Sequence, residues 1–90
     1  MTVNSVIDFY FSQYAELEIK IEMWGGLKGQ YKVYTKESFY ETFKDCSFEN
    51  EEVMIINFQT DIHDYNTKKT WECEFPMLYI VYKEEVKEND

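Results

Sequence analysis

The sequence predicts a small α+β domain of order α-β-β-α-β-β, in which a four-stranded, mainly antiparallel sheet carries one or two helices on one face. Three observations predict it. Apolar residues recur with helical spacing from Val3 to Tyr14. They alternate with charged residues from Glu16 to Trp24. Two more alternating runs, Val53 to His63 and Thr70 to Tyr82, follow a short second helical stretch. Ninety residues make one domain, placed here at residues 1–82, with 83–90 a charged tail expected to fray.

The first element sets Val3, Val6, Ile7, Tyr10, Phe11 and Tyr14 on one helical face. Ser5 is the expected cap, with Asp8 three residues on. The β-branched and aromatic content leaves a strand over Ile7–Phe11 as the competing assignment. Next, Leu17, Ile19, Ile21 and Met23 alternate with Glu16, Glu18, Lys20 and Glu22, the pattern of a half-buried strand. Gly25-Gly26 ends it, and Leu27 to Thr35 returns. A two-residue loop would pair Ile19 with Lys32 and mix apolar and polar residues on each face. A three-residue loop pairs Ile19 with Val33 and Ile21 with Tyr31, so an odd loop with a left-handed glycine is expected.

Thr35 caps the second helix, Lys36 to Asp45, with Phe39 and Phe43 on its buried face. Cys46 to Glu52 reads as a polar loop. The unbroken apolar run Val53–Ile56 predicts burial on both sides of the third strand. Pro76 donates no ladder hydrogen bond, so the fourth strand is expected to lie at an edge or to bulge there.

Composition narrows the function. Aromatics make up 19% of the chain, enough for a core in a domain of this size. Eighteen Asp and Glu against nine Lys give a net charge of −9, and there is no Arg. Phosphate binding needs a basic face and favours arginine forks, so direct nucleic-acid binding is not expected. The surface should attract a basic protein instead. Lys without Arg also follows from AT-rich coding, as in low-GC bacteria and their phages. No signal peptide or membrane-spanning run is read, and Cys46 and Cys73 are too few for a disulfide scaffold. A cytoplasmic protein with reduced thiols is the expectation.

No cofactor or metal site is expected. His63 is the only histidine, and no Cys or His pair has zinc-ligand spacing. Cys73 falls on the apolar phase of its strand and His63 on the polar phase of its own, which separates them as a nucleophile pair. Phosphate-loop, dinucleotide and nucleophile-elbow motifs are missing.

Arranged charge carries the functional reading. Glu16 and Glu18 share one strand face, as do Glu72 and Glu74, and the outer sheet face is expected to hold them with Glu22. Glu37, Glu41 and Asp45 stand four residues apart as a helical stripe, which Glu49, Glu51 and Glu52 extend into the loop. Tyr34 and Tyr40 fall on outward phases and Trp24 on a turn, where aromatics serve as binding anchors. The expected function is a non-enzymatic inhibitor from a phage or mobile element, of anti-CRISPR or DNA-mimic type. It would dock on the basic nucleic-acid-binding groove of a host protein. The alternatives are an acidic immunity protein or antitoxin that neutralises a basic toxin, and a small hydrolase using Asp61, His63 and Asp64. A homodimer, through the strand containing Pro76 or through exposed aromatics, is compatible with each.

Overall fold

Both helices open on the same local device, Thr-x-x-Ser. The computed structural model describes residues 1–26, 28–46, 48–49 and 51–83. In α1 (Val3–Phe11), Thr2 is the N-cap and Ser5 its reciprocal partner: the Ser5 amide donates to Thr2 Oγ1 at 3.3 Å, and the Thr2 amide to Ser5 Oγ at 3.1 Å. In α2 (Lys36–Thr42), Thr35 and Ser38 repeat the exchange at 3.1 and 2.8 Å. Each cap contributes about 1 kcal/mol by satisfying amides that have no partner within the helix. Thr35 is the cap the sequence predicts. In the first helix the cap lies three residues earlier than expected, because the Ser5 hydroxyl reaches back to the cap's amide.

The strands are β1 (Glu16–Met23), β2 (Lys32–Thr35), β3 (Glu52–Asp64) and β4 (Lys69–Lys83). They form one sheet in the order β2-β1-β4-β3. The class is the expected one, and the sheet is mixed. The β1–β2 and β3–β4 hairpins are antiparallel, while β1 and β4 run parallel at the centre. Pro76 therefore lies on a central strand, and the strand bulges there. Glu72 pairs with Asp61 and Met77 with Gln59, so Cys73, Glu74, Phe75 and Pro76 stand opposite the single Thr60. The irregularity accommodates a residue with no amide hydrogen.

The helices cover one face only. Val3, Val6 and Ile7 of α1 and Phe39 of α2 meet Leu17, Ile19, Leu78 and Ile80 in one buried cluster. Phe39 is its hub, with the rings of Phe43, Tyr34, Tyr40 and Phe11 centred 4.7, 5.5, 5.6 and 6.4 Å away. Phe48, in the stretch read as a polar loop, is buried between Phe43 and Tyr82 and pins that loop to the core.

Two expectations are overturned. The β1–β2 register pairs Ile19 with Lys32 and Glu18 with Val33, as for the two-residue loop. Met23 to Gly26 forms a turn closed by a 2.8 Å hydrogen bond, with Gly25 at φ 77°, where a type II turn needs left-handed backbone. This register turns Tyr34 inward onto Phe39 and leaves Val33 outside. Burying a tyrosine ring on two phenylalanines outweighs burying a valine on an edge strand of four residues. The second correction concerns Val53–Ile56. β3 is an edge strand, not a doubly covered one, and Met54 and Ile55 are 47% and 43% exposed.

Beyond the bulge, β3 and β4 continue as a two-stranded arm. Its turn is held by Asp64, whose Oδ1 accepts from the Asn66 amide at 2.9 Å, with Lys68 at φ 58°. The arm lengthens the molecule to 56 × 28 × 20 Å, with a radius of gyration of 14.7 Å. A compact chain of this length would have about 12 Å.

Candidate interaction surface

The uncovered sheet face is built by alternation. Residues between the inward Leu17, Ile19 and Ile21 point outward, so Glu18, Lys20 and Glu22 lie on this face. The register sets Lys20 beside Tyr79, and Glu18 between Val33 and Met77. These side chains are not a simple acidic field. Lys20 Nζ lies 5.4 Å from the Tyr79 ring and 5.8 Å from the Tyr31 ring. It also pairs with Glu22 at 3.2 Å. Glu22 accepts from the Tyr79 hydroxyl at 2.8 Å and from the Gly29 amide at 3.2 Å.

Glu22 is thus engaged by three donors, and its side chain is only 12% exposed. The Tyr79 hydroxyl, foremost, holds its carboxyl below the ordinary range. A lowered folded-state pKa stabilises the protein above the unfolded pKa, and that contribution is lost as pH falls through the folded value. Tyr79→Phe is expected to move the Glu22 midpoint back up toward the ordinary carboxylate range, which carboxyl-carbon NMR titration would read directly. An unchanged midpoint would mean that Lys20 and Gly29 hold the charge without the phenol.

Of the aromatics expected to face outward, Tyr34 and Tyr40 are half-buried in the core. Burial raises the Tyr34 phenol pKa. Burial, and then the Asp8 carboxylate, raise that of Tyr40, whose hydroxyl donates to Asp8 Oδ1 at 2.5 Å. Both rings serve the fold: Tyr34 packs edge-on to Phe39, and Tyr40 ties α2 to Asp8 of α1. Trp24 is exposed on its turn, as the sequence places it.

The remaining acids divide into three groups. Glu16 and Glu18 stay on β1. Glu72 and Glu74 do not join them, because β4 meets β1 only from Met77 onward, so both belong to the arm. There Glu72 stands directly opposite Asp61, two like charges across a ladder. On α2, Glu37 and Glu41 are exposed, Glu41 paired with Lys44 at 3.3 Å. Asp45 and Glu49 follow in exposed turns, whereas Glu52 enters β3 opposite Lys83. The carbonyl of Glu51 accepts the Val3 amide at 3.1 Å. The helical stripe therefore ends near Glu49. Ion pairs join Asp8 to Lys36, Glu22 to Lys20 and Glu41 to Lys44.

Two surface features escaped the sequence reading. One is the exposed pair Ile62 and Trp71, which face each other on the arm beside Asp61 and Glu72. Their alternation read as core because the arm's projection past the body is a tertiary fact. The other is an apolar cleft of about 310 Å³ beside β3, lined by Met1, Ser5, Val6, Phe9, Tyr10 and Ile56.

The residues named for hydrolysis are engaged otherwise. His63 Nδ1 lies 2.7 Å from Thr70 Oγ1, its ring edge-on to Tyr65, and Asp64 holds the turn. None of them lines the cleft. Among the described residues no group of three His, Cys, Asp or Glu side chains is arranged to hold a metal. Cys46 and Cys73 are free thiols, Cys73 raised in pKa chiefly by desolvation. No described helix is long and apolar enough to cross a membrane.

Comparison with protein-family models, curated proteins and solved structures finds no match. Among the described residues the fold and surface define a small α+β domain: two helices on one side of the sheet, none on the other, and an acidic arm at one end.

Proposed function

We propose that this domain is a non-enzymatic acidic binding protein that docks on the basic, nucleic-acid-binding groove of a host protein, as DNA-mimic and anti-CRISPR inhibitors of phages and mobile elements do. It would act in the host cytoplasm. One observation carries the reading. On the arm, Asp61 and Glu72 oppose each other with no ion pair to either among the described residues, and the next pair along, Ile62 and Trp71, is exposed. Like charges placed directly across a ladder destabilise it, so the fold retains an arrangement that costs it stability. Successive strand residues project to opposite faces, so the arm presents two acids on one face for electrostatic steering and an exposed tryptophan on the other as an anchor for desolvated contact.

Capture from host lysate at low salt, followed by a high-salt wash and mass spectrometry, tests the proposal. The expected result is a basic nucleic-acid-binding protein that is retained at low salt and released at high salt, because exposed charges are screened over about 3 Å at molar salt. Retention indifferent to salt would sink the electrostatic mechanism. Capture of a toxin would identify an immunity protein instead.

A further inference from the structure

We propose that the free edge of β3 pairs with the same edge of a second copy, giving a two-fold dimer with Asn57 on the axis. Charged residues make up 30% of the chain, yet residues 53–60 (Val-Met-Ile-Ile-Asn-Phe-Gln-Thr) contain none, and no proline. That stretch lies on an edge strand. Edge strands are ordinarily guarded by lysines, prolines or covering segments, because their unpaired amides and carbonyls accept any extended chain. Among the described residues the cover is confined to the start. Thr2 bridges Glu52, and the Val53 amide donates to the Met1 carbonyl at 3.0 Å. At the other end the ladder shifts at Thr60. The open edge is therefore residues 54–60, and its midpoint is Asn57.

The occupant follows from charge and register. A basic strand gains nothing from a neutral edge, whereas a copy of this edge meets it neutral to neutral. Antiparallel self-pairing about Asn57 sets Met54 opposite Thr60, Ile55 opposite Gln59 and Ile56 opposite Phe58. It brings no two acids face to face within the paired stretch. Asn57 lies on the outer face beside Tyr79, and a carboxamide donates and accepts, so two of them satisfy each other on the axis. On the inner side, the cleft lined by Ile56, Phe9 and Met1 opens beside the same edge and offers apolar volume to the copy. Such an interface is isologous and closes after two chains.

Light scattering after size exclusion, across a dilution series, tests this on the intact protein. The expected mass is twice the 11.0 kDa of the chain. Asn57→Lys, at an exposed position, should halve that mass with an unchanged circular dichroism spectrum. In a Cys46→Ser, Cys73→Ser background, Asn57→Cys should oxidise to a covalent dimer, since residues opposed across an antiparallel ladder lie about 4.5–5.5 Å apart at Cα, within disulfide reach. Val33→Cys, on the other edge strand, should not. A monomeric wild type, or a dimer that survives Asn57→Lys, overturns the proposal.

Discussion

Replacing Phe39 with alanine is expected to remove about 3–5 kcal/mol of stability. A chain of this length has about 5–13 kcal/mol in total. Phe39 is fully buried, and four other rings pack around it. Those rings come from α1, β2, α2 and the turn after α2, so the cavity would loosen every element that covers the sheet. They cannot collapse into it without losing their own packing on the rest of the buried cluster. The melting temperature should fall by on the order of 20 °C. Urea unfolding followed by tyrosine and tryptophan fluorescence would measure the loss. Phe9→Ala supplies the contrast, since Phe9 is exposed on the same helical layer and should cost under about 1 kcal/mol. Equal losses at the two positions would show that the aromatic hub is not the centre of the core.

Asp61→Lys is expected to change stability and binding in opposite directions. The substitution replaces a like-charge pair with a cross-strand ion pair to Glu72, a gain of about 0.2–1 kcal/mol. The melting temperature should hold or rise by a few degrees. Against the basic groove proposed above, the new lysine meets like charge, which costs several kcal/mol, so capture of the partner should fall about tenfold or more. A purely structural role for Asp61 would move the two readouts together. Stabilised protein with undiminished capture would remove the arm from the interface.

Element order was legible in the sequence because it rests on local chemistry. The alternation of Leu17, Ile19 and Ile21 with acids needs no knowledge of neighbours, and neither does the cap at Thr35. The spacing Val3, Val6, Ile7 and Tyr10 gave the first helix despite its β-branched residues. Strand order was not legible, because it is decided by which hairpin edges meet. Val53–Ile56 read as doubly buried since an apolar run looks alike at the centre of a sheet and at an unguarded edge. Tyr34 read as outward because the loop was chosen to keep Val33 inside; only the position of Phe39 on α2 shows that the ring is the better core residue. The acidic surface was legible as composition. Its division among β1, α2 and the arm depends on β4 meeting β1 only from Met77, which no local pattern encodes.

The central parallel pairing also governs how the domain comes into being. Ile19 and Ile21 of β1 meet Leu78 and Ile80 of β4, strands joined through almost the whole chain. Contacts so distant in sequence slow folding, because the intervening loop must close before they form. On a ribosome, the first helix and hairpin emerge with their apolar face exposed and nothing to lay against it, and they wait until residues 77–83 have cleared the exit tunnel. A stop codon or proteolytic cut before Met77 would remove the middle of the sheet rather than its margin, so partial products should be degraded rather than persist as partly folded domains.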